Sequence, residues 1–460
     1  MIDAGEYQHI VEKTCSAGQE HVFAYWAQLS KKQRKELLSD LSDINFEQFR
    51  ELIEMHVKNH KAETKVIQPC PVIRLPETGK QKAKRLKAFK KGRKAIAKGM
   101  VAAFLVAGGQ GSRLGFEGPK GCLKISPVKH KTLFQLHAEK ILAIQNRFRT
   151  LIPWYIMTSS SNHEQTLAFF RKKKFFGLEE ENVMFVRQKD IPAVDRYGKL
   201  ILKTKSAIFK NPDGSGGCFS ALSESGAIDD MKKRGIRYIF YFQVDNVLTK
   251  ILDPVYIGYH IMGKSDMSCK VLKKAHPEEK MGVVGLVNGK MSIVEYSNMS
   301  KEDMYAKNPD SSLKYSFGSL AIHVINVRFA EKISRRSLPF NKAVKKIPAL
   351  KGNVEGIKFE AFVFDALPFA KSSIVMEVRR EEEFAPVKNK EGVDSPDSAK
   401  KLLMDMYARW LEYCKVNVPR NEKGIEGRIE ISSLYALDPD ELKRKLPLNI
   451  RFTKGSSVCL

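Results

Sequence analysis

From the amino end, apolar residues recur at helical spacing: Val22, Phe23, Trp26 and Leu29, then Leu37, Leu38 and Leu41, then Phe46, Phe49, Leu52 and Ile53. Ser42, Asp43 and Asn45 offer capping oxygens at the breaks, so residues 18–58 predict two or three short helices. Pro69, Pro71 and Pro76 make residues 66–78 an extended linker. Beyond residue 100 the period changes. Apolar runs of strand length at 101–106, 152–158, 183–187, 238–244, 267–273, 283–287 with 292–295, 320–325 and 374–379 alternate with helical patterns. The helical patterns cover 132–146, 162–174, 216–234, 254–262 and 359–369. This alternation predicts an α/β fold, a mixed, mostly parallel, doubly wound sheet that places ligands at the carboxyl ends of its strands. Asn288-Gly289 between two alternating runs signals a hairpin attached to it. Ser395 caps a further helix to about Cys414, and residues 428–431, 439–446 and 449–452 form short terminal elements. The pattern divides the chain into an N-terminal helical region and basic linker (1–98), a central domain (99–386) and a small C-terminal domain (387–460).

Composition narrows the class. With 460 residues and 43% hydrophobic content the chain can bury a sizeable core. No run approaches the roughly 18 apolar residues that span a bilayer, and the first residues lack the basic-then-apolar pattern of a signal peptide. Seven cysteines lie scattered, without a C-x-x-C pair or a histidine-rich companion. A zinc site and a disulfide framework are therefore not expected, and a reducing cytoplasm is. The net charge of +27 points to polyanionic partners, either nucleic acid or small phosphorylated substrates. Ten lysines and arginines crowd residues 80–98, with Phe89 as the single aromatic among them. Such a run ordinarily forms a solvated helix or linker, with a nucleic-acid patch as the alternative.

The chemistry concentrates in Val101-Ala-Ala-Phe-Leu-Val-Ala-Gly-Gly-Gln-Gly-Ser-Arg-Leu-Gly115, followed by Pro119-Lys-Gly121. A strand that empties into a glycine-rich turn lets backbone N–H groups approach a polyphosphate, with Arg113 and Lys120 supplying positive charge around it. Two look-alike motifs read differently. Gly258 to Ser265 matches G-x-x-x-x-G-K-S, but Asp253-Pro254 starts a helix there and Gly263 ends it. Gly109-x-Gly-x-x-x-Gly115 approximates a dinucleotide fingerprint, yet residues 129–135 contain none of the acidic side chains that would bind a ribose. Asp245 and Asn246 end an apolar run, where an Asp can hold Mg²⁺ or cap a turn. Pro212-Asp-Gly-Ser-Gly-Gly217 is a second glycine-rich turn, suited to close contact with a base or a sugar. Phosphoryl-type transfer needs positioning and charge neutralisation, because the attacking phosphate oxygen is already anionic.

Assembled in order, these residues resemble the eukaryotic-type UDP-sugar pyrophosphorylases, especially those specific for N-acetylglucosamine. The matching stretches include Ala17-Gly-Gln-Glu-His21, the glycine motif, Lys131-Thr-Leu-Phe-Gln135, Val244-Asp-Asn246, Val294-Glu-Tyr-Ser297 and Phe362-Val-Phe-Asp365. The resemblance implies a Rossmann-like nucleotidyltransferase. A sugar 1-phosphate attacks the α-phosphorus of UTP with Mg²⁺, giving a UDP-sugar and pyrophosphate. It further implies that Val106, Ala107, Gly108, Gly109 and Gln110 line the nucleotide while Arg113 and Lys120 bind the triphosphate and stabilise the transition state. Gln188 and Gly214 would read uracil, Asp245 would hold the metal and the ribose side, and Lys358 and Lys388 would contact phosphate. Gly282, Glu295, Tyr296 and Ser319 would contact the sugar. UTP and a sugar 1-phosphate are the implied partners; membrane is not among them, and nucleic acid is not expected despite the basic charge. One departure leaves the sugar open. The N-acetylglucosamine enzymes carry Asn-Ala-Gly-Asn where this chain reads Ser316-Phe-Gly-Ser319, and Ser215 replaces an Asn near the uracil-side glycines. Serine reaches less far than asparagine, so glucose 1-phosphate or several sugars remain alternatives to N-acetylglucosamine 1-phosphate. A nucleic-acid-binding protein on a retired enzyme scaffold is the alternative of another class.

Overall fold

The computed structural model describes residues 5–58, 66–422, 424–447 and 450–460. Contacts group the chain into two compact units, each built from three stretches. One unit comprises Met1–Glu63, Gln188–Gly217 and Ser337–Asp365; the other comprises Thr64–Arg187, Cys218–Arg336 and Ala366–Leu460. The chain therefore enters each unit more than once.

The larger unit holds the expected Rossmann-like sheet. Val101–Val106 lies between the parallel strands Tyr238–Gln243 and Trp154–Thr158, and Val183–Arg187 continues the parallel set. The near-continuous burial of the first three is what their unbroken apolar runs require, since helices cover both faces of a parallel sheet; Val183–Arg187, at the edge, is buried only at Val183 and Val186. On the other side of Tyr238–Gln243, Phe317–Asn326 runs antiparallel and carries Met267–Lys273 and Val283–Val287. Asn288 and Gly289 adopt φ of 51° and 72° in the hairpin that joins Val283–Val287 to Lys290–Val294. The basic segment is a helix, Gly79–Ala97, capped by a reciprocal Thr78–Gln81 box. Asp253 caps the helix Pro254–Met262, confirming that Gly258 to Ser265 is a helix end and not a phosphate loop. The expected single helix over 216–234 is two, Cys218–Glu224 and Ala227–Lys233, because Gly226 between them turns to φ +76°. Ser395 caps Pro396–Tyr413 as expected. Of the terminal elements, Arg428–Glu430 pairs in parallel with Ser457–Cys459 and Pro439–Lys445 is helical. Asn449 lies outside the described residues, and 450–452 form no strand.

In the smaller unit, helices Gln8–Ser16, Lys31–Ser42 and Phe46–Ile53 bury Leu37, Leu38, Leu41, Phe49 and Ile53 against Val194, Leu200, Ile208 and Phe359. The helix expected over 359–369 is met only in part: Gly352–Ala361 is the second strand of a long hairpin with Phe340–Ala349, and Val363–Phe369 is a 3₁₀ helix, not an α-helix. The ten-residue ladder overrides the helical spacing of the phenylalanines.

Candidate functional site

The glycine loop leaves the carboxyl end of Val101–Val106 as a tight double-back. The Gly111 N–H donates to Gly118 O and the Lys120 N–H to Gly109 O. A Cβ at Gly111 would stand 2.6 Å from the Phe116 ring, and one at Gly121 would stand 2.3 Å from the buried Phe134 ring. Only glycine fits either position. The next strand end grips the outside of the turn. Ser159 Oγ donates to Gly108 O (2.7 Å), Asn162 Nδ2 to Ala107 O (2.8 Å), and Gln110 Nε2 to Ser161 O (2.7 Å). With those carbonyls engaged, the N–H groups of Gly108, Gly109 and Gln110 donate to no protein acceptor among the described residues. They are the side of the turn with donors left free for an anion. Arg113 is exposed and forms no ion pair among the described residues.

Lys120 and Asp245 meet. Lys120 Nζ lies 3.3 Å from Asp245 Oδ2, with the two side chains 19% and 12% exposed. Asp245 follows the parallel strand next to Val101–Val106, and the Val244 N–H donates to Val106 O. The loop that carries Asp245 is held on several sides. His137 Nε2 lies 3.0 Å from Val244 O, and Lys140 Nζ donates to Val247 O and Thr249 O. Asn246, only 4% exposed, donates from Nδ2 to Glu383 O (2.7 Å) and accepts the Ala385 N–H (2.9 Å), while the Val387 N–H donates to Asp245 O. Asn246 thus ties the aspartate to the segment that ends in Lys388. Beneath it, the fully buried Lys270 bridges Asp253 at 2.8 Å and Glu383 at 2.6 Å. Burial alone would lower the Lys270 pKa, but its two carboxylates hold it above the usual lysine range.

Lys388 donates its backbone N–H to Asp394 O, and its charge acts on both Asp394 and Glu295. Burial pushes each of these carboxyls up, and Lys388 opposes the shift. The Ser319 N–H donates to Gly282 O at 2.8 Å, and Glu295 Oε1 stands 3.3 Å from where a Gly282 Cβ would be. Gly282, Glu295 and Ser319 therefore form one cluster, and Tyr296 follows directly in a short 3₁₀ turn.

The remaining sequence-predicted residues belong to the smaller unit. Gln188 is 6% exposed and precedes the strand Asp190–Pro192, which pairs with Lys210–Pro212 just before Gly214. Gly214 has φ +93°, and its Cβ would stand 2.4 Å from Ala361 O. Ser215 Oγ accepts the Val363 N–H at 3.1 Å, so this serine is committed to the turn itself. Lys358 Nζ sits 5.0 Å from the centre of the Phe209 ring.

Sequence reading missed Ser159, Asn162 and Asp394, and it gave Asn246 no role. The spacing Ser159-x-x-Asn162 ahead of a helix signals a turn, but its grip on a distant glycine loop leaves no local trace. Among the described residues, no three His, Cys, Asp or Glu side chains cluster as a metal cage. Asp245 alone nevertheless suits Mg²⁺, which is commonly held by one or two carboxylates together with substrate phosphates and water.

The family model for UTP–glucose-1-phosphate uridylyltransferase matches residues 46–426. UDP-N-acetylglucosamine diphosphorylase 2 of Arabidopsis thaliana is 36% identical over 449 residues, covering 92% of this chain and 89% of that protein. The UDP-N-acetylglucosamine pyrophosphorylase of Saccharomyces cerevisiae is 35% identical, covering 86% and 89% respectively. Among solved structures, the uridine diphosphate N-acetylglucosamine pyrophosphorylase of Trypanosoma brucei, in complex with an inhibitor, aligns with a TM-score of 0.83 at 27% identity, covering 97% of this chain and 96% of that one. Built on a glycine turn at a parallel strand end and alike to these proteins along most of its length, the chain belongs to the UDP-sugar pyrophosphorylase family, the UTP–glucose-1-phosphate uridylyltransferases.

Proposed function

We propose that this nucleotidyltransferase joins UTP and a sugar 1-phosphate, with N-acetylglucosamine 1-phosphate favoured, to give a UDP-sugar and pyrophosphate in a reducing cytoplasm. The observation that carries this reading is the Lys120–Asp245 pair at adjacent parallel strand ends, beside the unbonded amides of Gly108 to Gln110. An oxygen of the sugar phosphate attacks the α-phosphorus, the bond to the β-phosphate oxygen breaks, and pyrophosphate leaves with both bonding electrons. The amides and Arg113 hold the triphosphate, and Lys120 faces the charge that grows as the bond breaks. Asp245 would hold Mg²⁺, which when bound neutralises phosphate charge. Lys388 and Lys358 supply further phosphate contacts. Gly282 keeps the wall of the sugar cluster thin, while Glu295, Tyr296 and Ser319 offer polar contacts to the sugar. Gln188 and Gly214 read uracil, the glycine admitting a flat base where a side chain would meet Ala361. No general base is needed, since the nucleophile is already anionic.

The preference for N-acetylglucosamine 1-phosphate is supported by the names of the relatives. Against it stand Ser319 and Ser215, where the family's asparagines would be. Incubation with UTP, Mg²⁺ and a panel of sugar 1-phosphates, followed by pyrophosphate release, tests the reading. Turnover with N-acetylglucosamine 1-phosphate above glucose 1-phosphate is expected. The reverse order transfers the preference to glucose, and turnover with no sugar overturns the enzymatic assignment. Six of the cysteines, Cys15, Cys70, Cys122, Cys269, Cys414 and Cys459, carry free thiols, in keeping with a reducing compartment.

A further inference from the structure

The basic helix Gly79–Ala97 aligns its lysines. Lys80, Lys84, Lys87, Lys91, Lys94 and Lys98 follow one another at steps of four, three, four, three and four residues. That alternation places all six along one face of an α-helix. All six are exposed, and among the described residues none has a carboxylate within ion-pair distance. The face centred roughly 100° around the helix from the row, Ala88, Gly92, Ala95 and Ile96, is locked. A Cβ at Gly92 would stand 1.8 Å from Pro254 O, and one at Gly258 would stand 1.8 Å from Ala88 O, so this helix and Pro254–Met262 touch backbone to backbone. The lysine row can neither roll inward nor be neutralised internally. Across the 18 steps from Lys80 to Lys98 it extends about 27 Å at 1.5 Å per step.

We propose that this row is a docking surface for the phosphodiester backbone of a nucleic-acid duplex, separate from the nucleotide site. Three features select that occupant. A duplex is a linear polyanion with roughly one charge per 1.7 Å of axis, which a straight row of point charges can follow. A bilayer-binding helix also needs an apolar face to bury, and here the apolar face, Ala88, Gly92, Ala95 and Ile96, is already covered by protein, leaving Leu86 as a single exposed aliphatic side chain. The row itself contains no aromatic side chain on which the bases of a single strand could stack. Lysine carries charge without the planar fork that reads base edges, so the contact should be independent of sequence.

The test is fluorescence anisotropy of the full chain with 20-base-pair DNA and RNA duplexes between 50 and 200 mM salt. Two variants complete it: one with the six row lysines changed to Gln, and a charge-matched control with Lys31, Lys32, Lys35, Lys345, Lys346 and Lys351 changed to Gln. Six neutralised phosphates predict a salt slope near −5 and about a 10³-fold loss of affinity across that range. The row variant should lose most of the binding and keep its uridylyltransferase rate, while the control keeps both. Comparing the DNA and RNA arms identifies which duplex is preferred. Equal losses in the two variants would reduce the effect to net charge and overturn the proposal. So would an absence of duplex binding at 50 mM salt, including the case where vesicles containing phosphatidylserine are bound instead.

Discussion

Replacing Lys120 by Ala separates the pairing with Asp245 from the transition-state role proposed for its ammonium. In the free protein it sits 3.3 Å from Asp245, a gross attraction of about 5 kcal/mol at an effective dielectric of 20. Most of that is offset by desolvation and by the freedom each side chain gives up, and both groups still touch solvent. The cost in folding stability should therefore stay within about 1 kcal/mol, as for other partly exposed pairs. Two larger effects remain. Asp245 loses its competitor, so a divalent cation should bind the free protein at least about tenfold more tightly, a change of only about 1.4 kcal/mol out of the gross attraction removed. Meanwhile the growing charge on the transferring phosphate loses a fixed cation, which should lower kcat by about 10²–10³. Mn²⁺ titration without nucleotide, steady-state pyrophosphate release and thermal melting read the three quantities separately. A near-normal kcat would refute the assignment of Lys120 to the transition state. Unchanged Mn²⁺ affinity would refute the competition between ammonium and metal for Asp245.

Asn246→Ala strands the carbonyl of Glu383 and the N–H of Ala385 inside the protein, at roughly 1–3 kcal/mol each; a melt that falls together with a loss of kcat is expected, and unchanged kcat would show that the tie does not position Asp245. Ser319→Asn restores the longer amide beside Gly282 and Glu295, and should raise kcat/KM for N-acetylglucosamine 1-phosphate over glucose 1-phosphate by several-fold, since one hydrogen bond contributes about 0.5–1.5 kcal/mol; an unchanged ratio in the sugar panel would remove Ser319 from sugar selection. Burial pushes the imidazoles of His137, His260 and His323 down to about 3, 4 and 4. Unfolded chains take up those protons near pH 6.5, so stability falls as pH drops from 6.5 toward 4, by about 2 kcal/mol for each histidine between pH 7 and 5; denaturant midpoints that match at the two pH values would refute neutral burial of the three.

The parallel strands were legible because burial on both faces leaves unbroken apolar runs, and helices such as Pro254–Met262 because Asp253 and Pro254 mark their start locally. The hairpin over 340–361 was not. In its first strand, Phe340–Ala349, the adjacent Lys345 and Lys346 break the apolar alternation and Pro348 argues against a strand, while the turn that closes the ladder, Leu350-Lys351, carries none of the usual hairpin residues. The glycine loop and Asp245 could be read from sequence because each sits at the end of a run that announces it. Asp394 and Asn246 could not be given roles, because the first follows a polar stretch and the second works through carbonyls and amides some 140 positions away.

The charges in the larger unit sort by depth, and the sorting suits the chemistry. The deepest group, Lys270 with Asp253 and Glu383, is paired internally, with Asp253 also capping Pro254–Met262, and it fixes Glu383, to whose backbone Asn246 is bound. A buried triad of this kind adds little net stability over an apolar core, yet removing one member leaves the others uncompensated at roughly 3–5 kcal/mol. Its return is geometric: it holds the partner of the Asp245 loop in one place. Nearer the surface, Lys120 and Asp245 remain partly exposed, as the proposed exchange of each for phosphate and metal requires. A reaction whose nucleophile and leaving group are both anions depends on such exchange, because cations frozen into internal pairs could not turn toward the substrate. Rigid charge below and exchangeable charge above is therefore the arrangement that lets one strand end position a triphosphate and still release pyrophosphate.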